Sequence, residues 1–288
     1  MAAAVIIERF APSPTGLLHL GHGFSALTAF EAAQKAGGRF LLRIEDIDQP
    51  RCRPEFEQAI YDDLHWLGIS WVGPVMRQSE RMSAYQNALA KLISLGLCYP
   101  CGCTRKDISS ALSAPQEDGD PVMGPDGTIY PGTCRARKMT SRAGNDAVRL
   151  NMMKAVAYLG GLNNLSYLDI GTGRTTLDKD ILIEGCGDIV LARKDIGTSY
   201  HLAVVLDDAQ QQITHVTRGI DMAPATPIHR LLQALLGLPT PIYRHHRLIR
   251  DVNGKRLAKR FDAMALQAYR RAGKSAQDIR ELLGFPAI

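Results

Sequence analysis

Arg9-Phe10-Ala11-Pro12-Ser13-Pro14-Thr15-Gly16-Leu17-Leu18-His19-Leu20-Gly21-His22 is the stretch around which the chain is organised. Before it stands an apolar run, Val5-Ile6-Ile7, of the kind that forms a buried strand. After it, Phe24, Leu27 and Phe30 recur at helical spacing until Gly37-Gly38. Pro12, Ser13, Pro14 and Gly16 therefore fall on a strand-to-helix turn, with His19 and His22 at the start of the helix. Backbone N–H groups are unpaired there and the helix dipole favours an anion. Two imidazoles on one face would add donors. Taken singly these features are ordinary loop and cap chemistry. Together they predict a phosphate site.

The next segment, Arg39-Phe40-Leu41-Leu42-Arg43-Ile44-Glu45-Asp46-Ile47-Asp48, alternates as a strand and delivers Glu45 to its carboxyl end. Strand, helix, strand is a βαβ unit, and ligands of such sheets collect at the carboxyl ends of the strands. Glu45 is thus expected beside the Arg9 turn, although a surface pair with Arg43 or Arg51 would explain it equally simply. Phe56, Ile60, Leu64 and Leu67 mark a core helix closed by Gly68. Ser79 is placed to cap another, with Met82, Tyr85, Leu89 and Leu92 inward.

At 288 residues the chain can hold one large domain or a core with an inserted piece. No apolar stretch is long enough for a membrane span, and the apolar part of the amino terminus is too short for a signal peptide, so a cytoplasmic protein is expected. Of the net charge of +5, the segment from Arg244 to Arg260 supplies +6, leaving the remainder at about −1. A basic strip on a near-neutral body suits a polyanion such as nucleotide phosphates or an RNA backbone.

Cys98, Cys101, Cys103 and Cys134 are grouped, whereas Cys52 and Cys186 are scattered. In a cytosolic chain such grouping points to a metal or to catalysis rather than to disulfides. The intervening Ser109 to Thr133 is rich in Gly, Pro, Ser and Asp and cannot build a core alone. A metal would close that loop, and a thiolate-rich set favours Zn²⁺. From Asp146 to about Gly187 short strands and turns finish the inserted piece; Gly171-Thr172-Gly173 reads as a turn. Tyr200 to Asp208 is an apolar run ending in acids, helix or strand. Ile213 to Gly219 alternates as a strand presenting Arg218. Thr226-Pro227 opens a helix as N-cap and N1, and Ser275-x-x-Asp278 opens a last short one.

The fourteen-residue string resembles the first signature of class I aminoacyl-tRNA synthetases in their glutamyl branch, and Arg43-Ile44-Glu45-Asp46-x-Asp48 resembles that branch's R-I-E-D-x-D segment. Asn253-Gly254-Lys255-Arg256-Leu257-Ala258-Lys259-Arg260 resembles the second signature, K-x-S-K, with Ala258 in place of the serine. The resemblance implies an α/β fold: a Rossmann-type parallel sheet core with an inserted zinc-containing, acceptor-type subdomain and a short C-terminal helical extension. It divides the chain into a first half of the core (1–97), the insertion with a zinc-binding hairpin (98–187), a second half (188–240), and the second-signature loop with the helical segment (241–288). It implies that His19, Gly21, His22 and Lys259 bind ATP with Mg²⁺, the histidines and Lys259 being catalytic. Arg9, Phe10, Ala11, Pro12, Ser13, Glu45, Tyr200 and Arg218 would form the amino-acid pocket. A guanidinium recognises a carboxylate with a planar fork. Arg9 and Arg218 with Glu45 on the ammonium thus predict L-glutamate; glutamine would leave a buried cation poorly paired.

The short, queuosine-directed branch of the family carries C-x-C…Y-x3-C at this place, which implies Cys101, Cys103, Tyr130 and Cys134 as zinc ligands. Phenolate is an uncommon ligand, so Cys98 stays open as a rival to Tyr130. About twenty-seven residues follow Phe261, too few for the anticodon-binding region of full glutamyl-tRNA synthetases. The expected partners are therefore ATP, L-glutamate and queuosine-containing tRNA(Asp), with no membrane and a monomeric state. Three rivals remain at this point: a truncated enzyme charging the 3′ end of tRNA(Glu), a nucleotidyltransferase without an amino-acid substrate, and a silent RNA-binding paralogue.

Overall fold

Strand β1 (Ile7–Phe10) is buried along its whole length, and α1 (Leu20–Lys35) and β2 (Arg39–Ile44) complete the βαβ unit. This computed structural model describes residues 5–112, 123–249 and 264–286. β1 and β2 pair in parallel, Ile7 opposite Arg39 and Phe10 opposite Leu42. Gly37, at φ +60°, makes the left-handed turn between α1 and β2 that other residues rarely adopt. Helix α2 (Pro54–Trp66) starts on a proline, whose missing N–H costs nothing in a first turn. It leads to the short parallel strand β3 (Met76–Arg77) and to α3 (Met82–Ser94). Ser79 is not the cap of α3. Its N–H and hydroxyl both donate to the Asp46 carboxylate, at 2.8 and 2.6 Å, and the N-cap of α3 is Arg81. Ser79 lies within a 3₁₀ turn, Gln78–Arg81, that precedes the first residue of α3 and carries the serine away from the cap position.

The inserted stretch holds β4 (Cys98–Cys101), α4 (Arg105–Leu112), the hairpin β5 (Met123–Gly124) and β6 (Gly127–Thr128), then β7 (Ala147–Leu150) and α5 (Met152–Tyr158). β8 (Ser166–Asp169) and β9 (Gly173–Thr176) form a second hairpin, and a turn of π-helix, Ile181–Cys186, precedes β10 (Val190–Ala192). β4, β7 and β10 make an antiparallel sheet with β7 in the middle. β8 instead pairs in parallel with β12 (Ile242–His246), so residues 166–176 already belong to the main sheet rather than to the insertion. Gly171-Thr172-Gly173 is the turn of that second hairpin, its N–H groups at Gly171 and Thr172 held by Asp169 Oδ1.

The Tyr200 run is helix α6 (Tyr200–Gln210), capped by Ser199. It is buried almost all round, which is why no amphipathic stripe distinguished it from a strand. β11 (His215–Gly219) pairs in parallel with β12, and between them a 3₁₀ turn, Ile220–Ala225, runs into α7 (Thr226–Leu236). That turn displaces the cap by one residue: Ala225 is the N-cap and Thr226 the first helical residue. α8 (Leu266–Arg271) and α9 (Ala276–Leu283), the latter with the Ser275–Asp278 capping box, pack their buried Leu266, Ile279 and Leu283 with the first βαβ unit.

β1 and β11 meet at a seam. Thr214 N–H donates to the Ile7 carbonyl at 3.0 Å, and Thr217 Oγ1 donates to buried Glu8 at 3.0 Å. From β1 the chain winds one way through α1 to β2, and from β11 the other way through α7 to β12. The carboxyl ends of β1 and β11 therefore diverge around a crevice, which is where open parallel sheets hold ligands. α6 crosses beneath it. Its Asp207 takes hydrogen bonds from Gln78, Arg81 and Tyr85, tying α6 to the approach to α3, while its Asp208 reaches β1 and β2.

Candidate active site

The crevice is a cavity of about 460 Å³. Its walls include Arg9, Phe10, Ala11, Pro12, Ser13, Glu45, Tyr200 and Arg218, with His19, Gly21 and His22. Every one of these positions that the sequence assigns to the amino acid or to ATP is brought to one cleft. Lys259 and its neighbour Ala258 lie outside the described residues.

One floor of the cleft is an ion network. Asp208 Oδ1 accepts from Arg9 Nε at 3.0 Å and from Arg43 Nη1 at 2.7 Å, and Arg43 Nη2 reaches Glu45 Oε1 at 3.1 Å. The Glu45 N–H also donates to the Pro12 carbonyl at 2.9 Å, which pins the turn after β1 to the end of β2. Burial pushes the Glu45 carboxyl above its ordinary range, against the pull of Arg43 and Arg9. A substrate ammonium would offset that cost. Burial acts on Asp208 too, but two guanidinium groups outweigh it and hold the acid below its usual value. Arg43 and Asp208 are the members that sequence reading missed as part of the site: a charge inside an apolar run was the only signal.

The phosphate end is built by the first turn of α1. His19 is the N-cap; its Nδ1 accepts from Gly21 N–H at 3.1 Å, and His22 Nδ1 accepts from His19 N–H at 3.2 Å. The rings stack with centroids 3.8 Å apart. Because a backbone N–H can only donate, a neutral imidazole in either position carries its proton on Nε2. A Cβ on Gly21 would come within 2.9 Å of the His19 ring, so only glycine allows this close approach.

Arg218, buried on β11, is held by three acceptors. Nε donates to His245 Nε2 at 3.2 Å, Nη1 to His229 Nδ1 at 3.1 Å and Nη2 to Thr226 Oγ1 at 2.6 Å, and its guanidinium lies 5.2 Å from the Tyr243 ring centre. His245 Nδ1 is 2.5 Å from Asp169, whose carboxyl is held below its usual range by this histidine and by the Gly171 and Thr172 N–H groups, despite burial. Burial and the Arg218 charge keep His229 well below its ordinary pKa and lower that of His245, so both are neutral acceptors near pH 7. None of His229, His245 or Asp169 was singled out from sequence.

Residues 5–285 match the family described as tRNA synthetases class I (E and Q), catalytic domain. The chain belongs to the class I tRNA synthetases. It is 54% identical over 286 residues to the Glutamyl-Q tRNA(Asp) synthetase of Rhodobacter capsulatus, covering 97% of this chain and 100% of that one. Against the Glutamyl-Q tRNA(Asp) synthetase of Nocardia farcinica the identity is 42%, covering 96% and 82%. Among solved structures, a glutamate-tRNA synthetase of Elizabethkingia anophelis superposes with a TM-score of 0.76 at 26% identity. A glutamate tRNA ligase of Elizabethkingia meningosepticum in complex with its amino acid does so at 0.75 and 27%. The chain covers 97% and 96% of its own length in these superpositions but spans only 61% and 60% of those two structures. It is thus a class I aminoacyl-tRNA synthetase-like ligase with the parallel sheet and flanking helices of that fold. No helix among the described residues is long and apolar enough to cross a membrane.

In this synthetase the cysteine group draws together away from the cleft floor. The sulfurs of Cys101, Cys103 and Cys134 lie within 4.8 Å of one another. Tyr130 Oη stands 3.4 Å from Cys101 and 3.5 Å from Cys103, and accepts from the Cys134 N–H at 2.8 Å. Tetrahedral Zn²⁺ with bonds of about 2.3 Å would separate its sulfurs by about 3.8 Å, so the three thiols and the phenol fit it as a set. Cys98 does not join them. It is three residues from Cys101 on a strand, hence on the opposite face, and packs with Val148 and Leu150 in the main core, where burial pushes its thiol up to about 12. Within the cluster, burial is outweighed at Cys134 by hydrogen bonds from Tyr130, Cys103 and the Gly102 backbone, which bring it down to about 7. The guanidinium of Arg149 lies 3.8 Å from the Tyr130 ring centre, while burial and the hydrogen bonds of the neighbouring thiols hold the phenol above its ordinary pKa.

A second cavity of about 600 Å³ lies between the cluster and the core, and Arg51, Arg105, Arg149, Arg193 and Lys194 stand on its walls. Ser13, Glu45 and Tyr200 line both cavities, so the two adjoin at the amino-acid end.

Proposed function

We propose that the protein activates L-glutamate with ATP and transfers the glutamyl group to queuosine in tRNA(Asp). The observation that carries the first half is the cleft between β1 and β11: two guanidinium groups, Arg9 and Arg218, with Glu45 at one end, and the stacked His19–His22 pair on a helix N-terminus at the other. Arg218 would take the side-chain carboxylate and Glu45 the ammonium. The α-carboxylate oxygen then attacks the α-phosphorus, the bond from that phosphorus to its bridging oxygen breaks, and pyrophosphate leaves. No protein nucleophile is needed. Catalysis is positioning together with stabilisation of phosphate charge, supplied here by the Nε2–H groups of His19 and His22, by the α1 N-terminus and by Lys259. Mg²⁺ bound with ATP would neutralise further phosphate charge. Zn²⁺ on Cys101, Cys103, Tyr130 and Cys134 would close the insertion and has no part in the chemistry.

For the second half, an acceptor hydroxyl attacks the glutamyl carbonyl and AMP leaves. The second cavity, which shares Ser13, Glu45 and Tyr200 with the first and carries Arg105, Arg149 and Lys194 among its mixed charges, would be the route by which a polyanionic acceptor reaches the mixed anhydride. The identity of that acceptor as queuosine rests on the relatives named for it. The division into core halves (1–97 and 188–240), insertion (98–187) and terminal segment (241–288) belongs to the same reading, with the hairpin 166–176 of that insertion joined to the core sheet through β12. Glutamate-dependent pyrophosphate exchange in the absence of tRNA tests activation. Transfer of labelled glutamate to queuosine-containing tRNA(Asp), queuosine-lacking tRNA(Asp) and tRNA(Glu) tests the acceptor. Charging of tRNA(Glu) alone would favour the activity for which the superposed solved structures are named.

A further inference from the structure

The geometry points to Asp126, at the tip of the β5–β6 hairpin in the insertion, as a positioning residue for the glutamate pocket that acts on Arg218 through His201 and His229. This rests on the reading of Arg218 as the glutamate-binding cation. Asp126 Oδ1 lies 2.7 Å from His201 Nε2, His201 Nδ1 lies 3.0 Å from His229 Nε2, and His229 Nδ1 lies 3.1 Å from Arg218 Nη1.

The direction of every bond in this chain follows from its ends. A guanidinium only donates, so His229 Nδ1 must accept. A neutral His229 then carries its proton on Nε2, so His201 Nδ1 must accept in turn. A neutral His201 carries its proton on Nε2, where an ionised carboxylate, which only accepts, is waiting. Asp126 and Arg218 thus demand the same pair of tautomers. Without Asp126 only Arg218 opposes the other pair: His201 donating from Nδ1, His229 accepting at Nε2 and turning an N–H on Nδ1 against the guanidinium. The carboxylate on the insertion adds a second penalty, at the far end of the chain, to the one that Arg218 imposes on that state.

Position and burial agree with the role. His201 and His229 are buried, whereas the Asp126 side chain is 50% exposed and can be changed without opening the core. The hairpin tip is seated: a Cβ on Gly124 would come within 2.8 Å of the Gly185 carbonyl. On its other side Arg218 has an equivalent arm, Asp169–His245, ending on Nε. With Thr226 on Nη2, three of the five guanidinium N–H groups are committed, leaving one on Nη1 and one on Nη2 for a ligand carboxylate. Each arm fixes one edge of the fork.

The test compares the full-length parent with D126A and D126N. In glutamate-dependent pyrophosphate exchange, D126A is expected to raise KM for glutamate roughly three- to tenfold, with kcat and KM for ATP unchanged. D126N, whose amide oxygen can still accept from His201, is expected to restore most of the affinity. Long-range ¹H–¹⁵N spectra of the imidazoles read the same chain without any substrate: the parent and D126N give Nε2–H tautomers at His201 and His229, and D126A gives a mixture. Unchanged tautomers together with an unchanged glutamate KM in D126A would overturn the proposal. A parent without glutamate-dependent exchange would overturn the proposed function instead, and the spectra would still decide whether Asp126 sets the tautomers.

Discussion

The amino-acid end of the cleft and the cysteine–tyrosine cluster are both gatherings of polar side chains around a space, but they are built in opposite ways. At the first, the chain's own charges satisfy one another: Asp208 serves Arg9 and Arg43 at 3.0 and 2.7 Å, and three acceptors hold Arg218. At the second, thiols and a phenol face each other at 3.4–3.5 Å, distances at which sulfur hydrogen bonds are weak. The difference separates a site whose geometry folding itself supplies from one that a bound ion would complete. A preorganised pocket pays for its charges during folding, whereas metal-bound thiolates bring their binding energy to the fold only with the ion.

The comparison breaks most sharply at Asp208. Asp208→Ala removes the carboxylate shared by Arg9 and the fully buried Arg43, leaving Arg43 only Glu45 and Gln211, and is expected to cost about 3–5 kcal/mol of stability, read from denaturant midpoints. A loss below about 1 kcal/mol would mean that the amino-acid end is no more self-supporting than the cluster. Arg218→Ala is expected to lower kcat/KM for glutamate in pyrophosphate exchange roughly ten- to a hundredfold while KM for ATP holds, since it removes a charged hydrogen-bond partner at one end only. Lys259→Ala should do the reverse, reducing the exchange rate at saturating glutamate. If both variants keep parental kinetics, the assigned roles are wrong.

Acidification sharpens the same contrast. His229 and His245 have folded-state pKa values below the ordinary 6.5, so on lowering the pH the unfolded chain takes up protons first. Their contribution is full above about pH 6.5 and is lost as the pH falls from there through the folded values. Protonation also removes the acceptors on which Arg218 rests, so glutamate affinity should decline as the pH falls through those depressed folded values. A flat glutamate KM through that window would show that Arg218 does not depend on its imidazoles. The smallest effect on activation is expected at the cluster itself. Chelation, or Cys134→Ser, should remove about one zinc per chain and expose the 123–134 segment to proteolysis. Glutamate KM should rise by no more than in D126A, because Asp126–His201 is the thread joining the insertion to the pocket. A larger rise would indicate a second connection.

How far the sequence could be read depended on the range of the interactions. The strand–turn–helix at Arg9 to His22 and the placement of Glu45 after an alternating strand are local patterns and land where spacing put them, whereas spacing grouped Cys98 with Cys101, Cys103 and Cys134, and Tyr130 entered through the family resemblance alone. Ser79 and Thr226 misled at helix starts because an adjoining 3₁₀ turn moved the cap. Tyr200 to Asp208 was undecidable because a helix buried on all sides has no polar stripe to give it a period.

Signature strings and strand-to-helix punctuation were therefore sufficient for the parallel-sheet class I fold and for naming the residues that line the cleft between β1 and β11. Which side chains hold those residues in place was decided by packing alone. Arg9 and Asp208 are 199 positions apart, and Asp126, His201, His229 and Arg218 come from a hairpin tip, two helices and a strand. Cys98 and Cys101 are near neighbours in sequence, yet the pleat of one strand sends them to different cores. Partners so separated are chosen by the complementarity of donor, acceptor and charge once the sheet has closed, and no local periodicity carries that information.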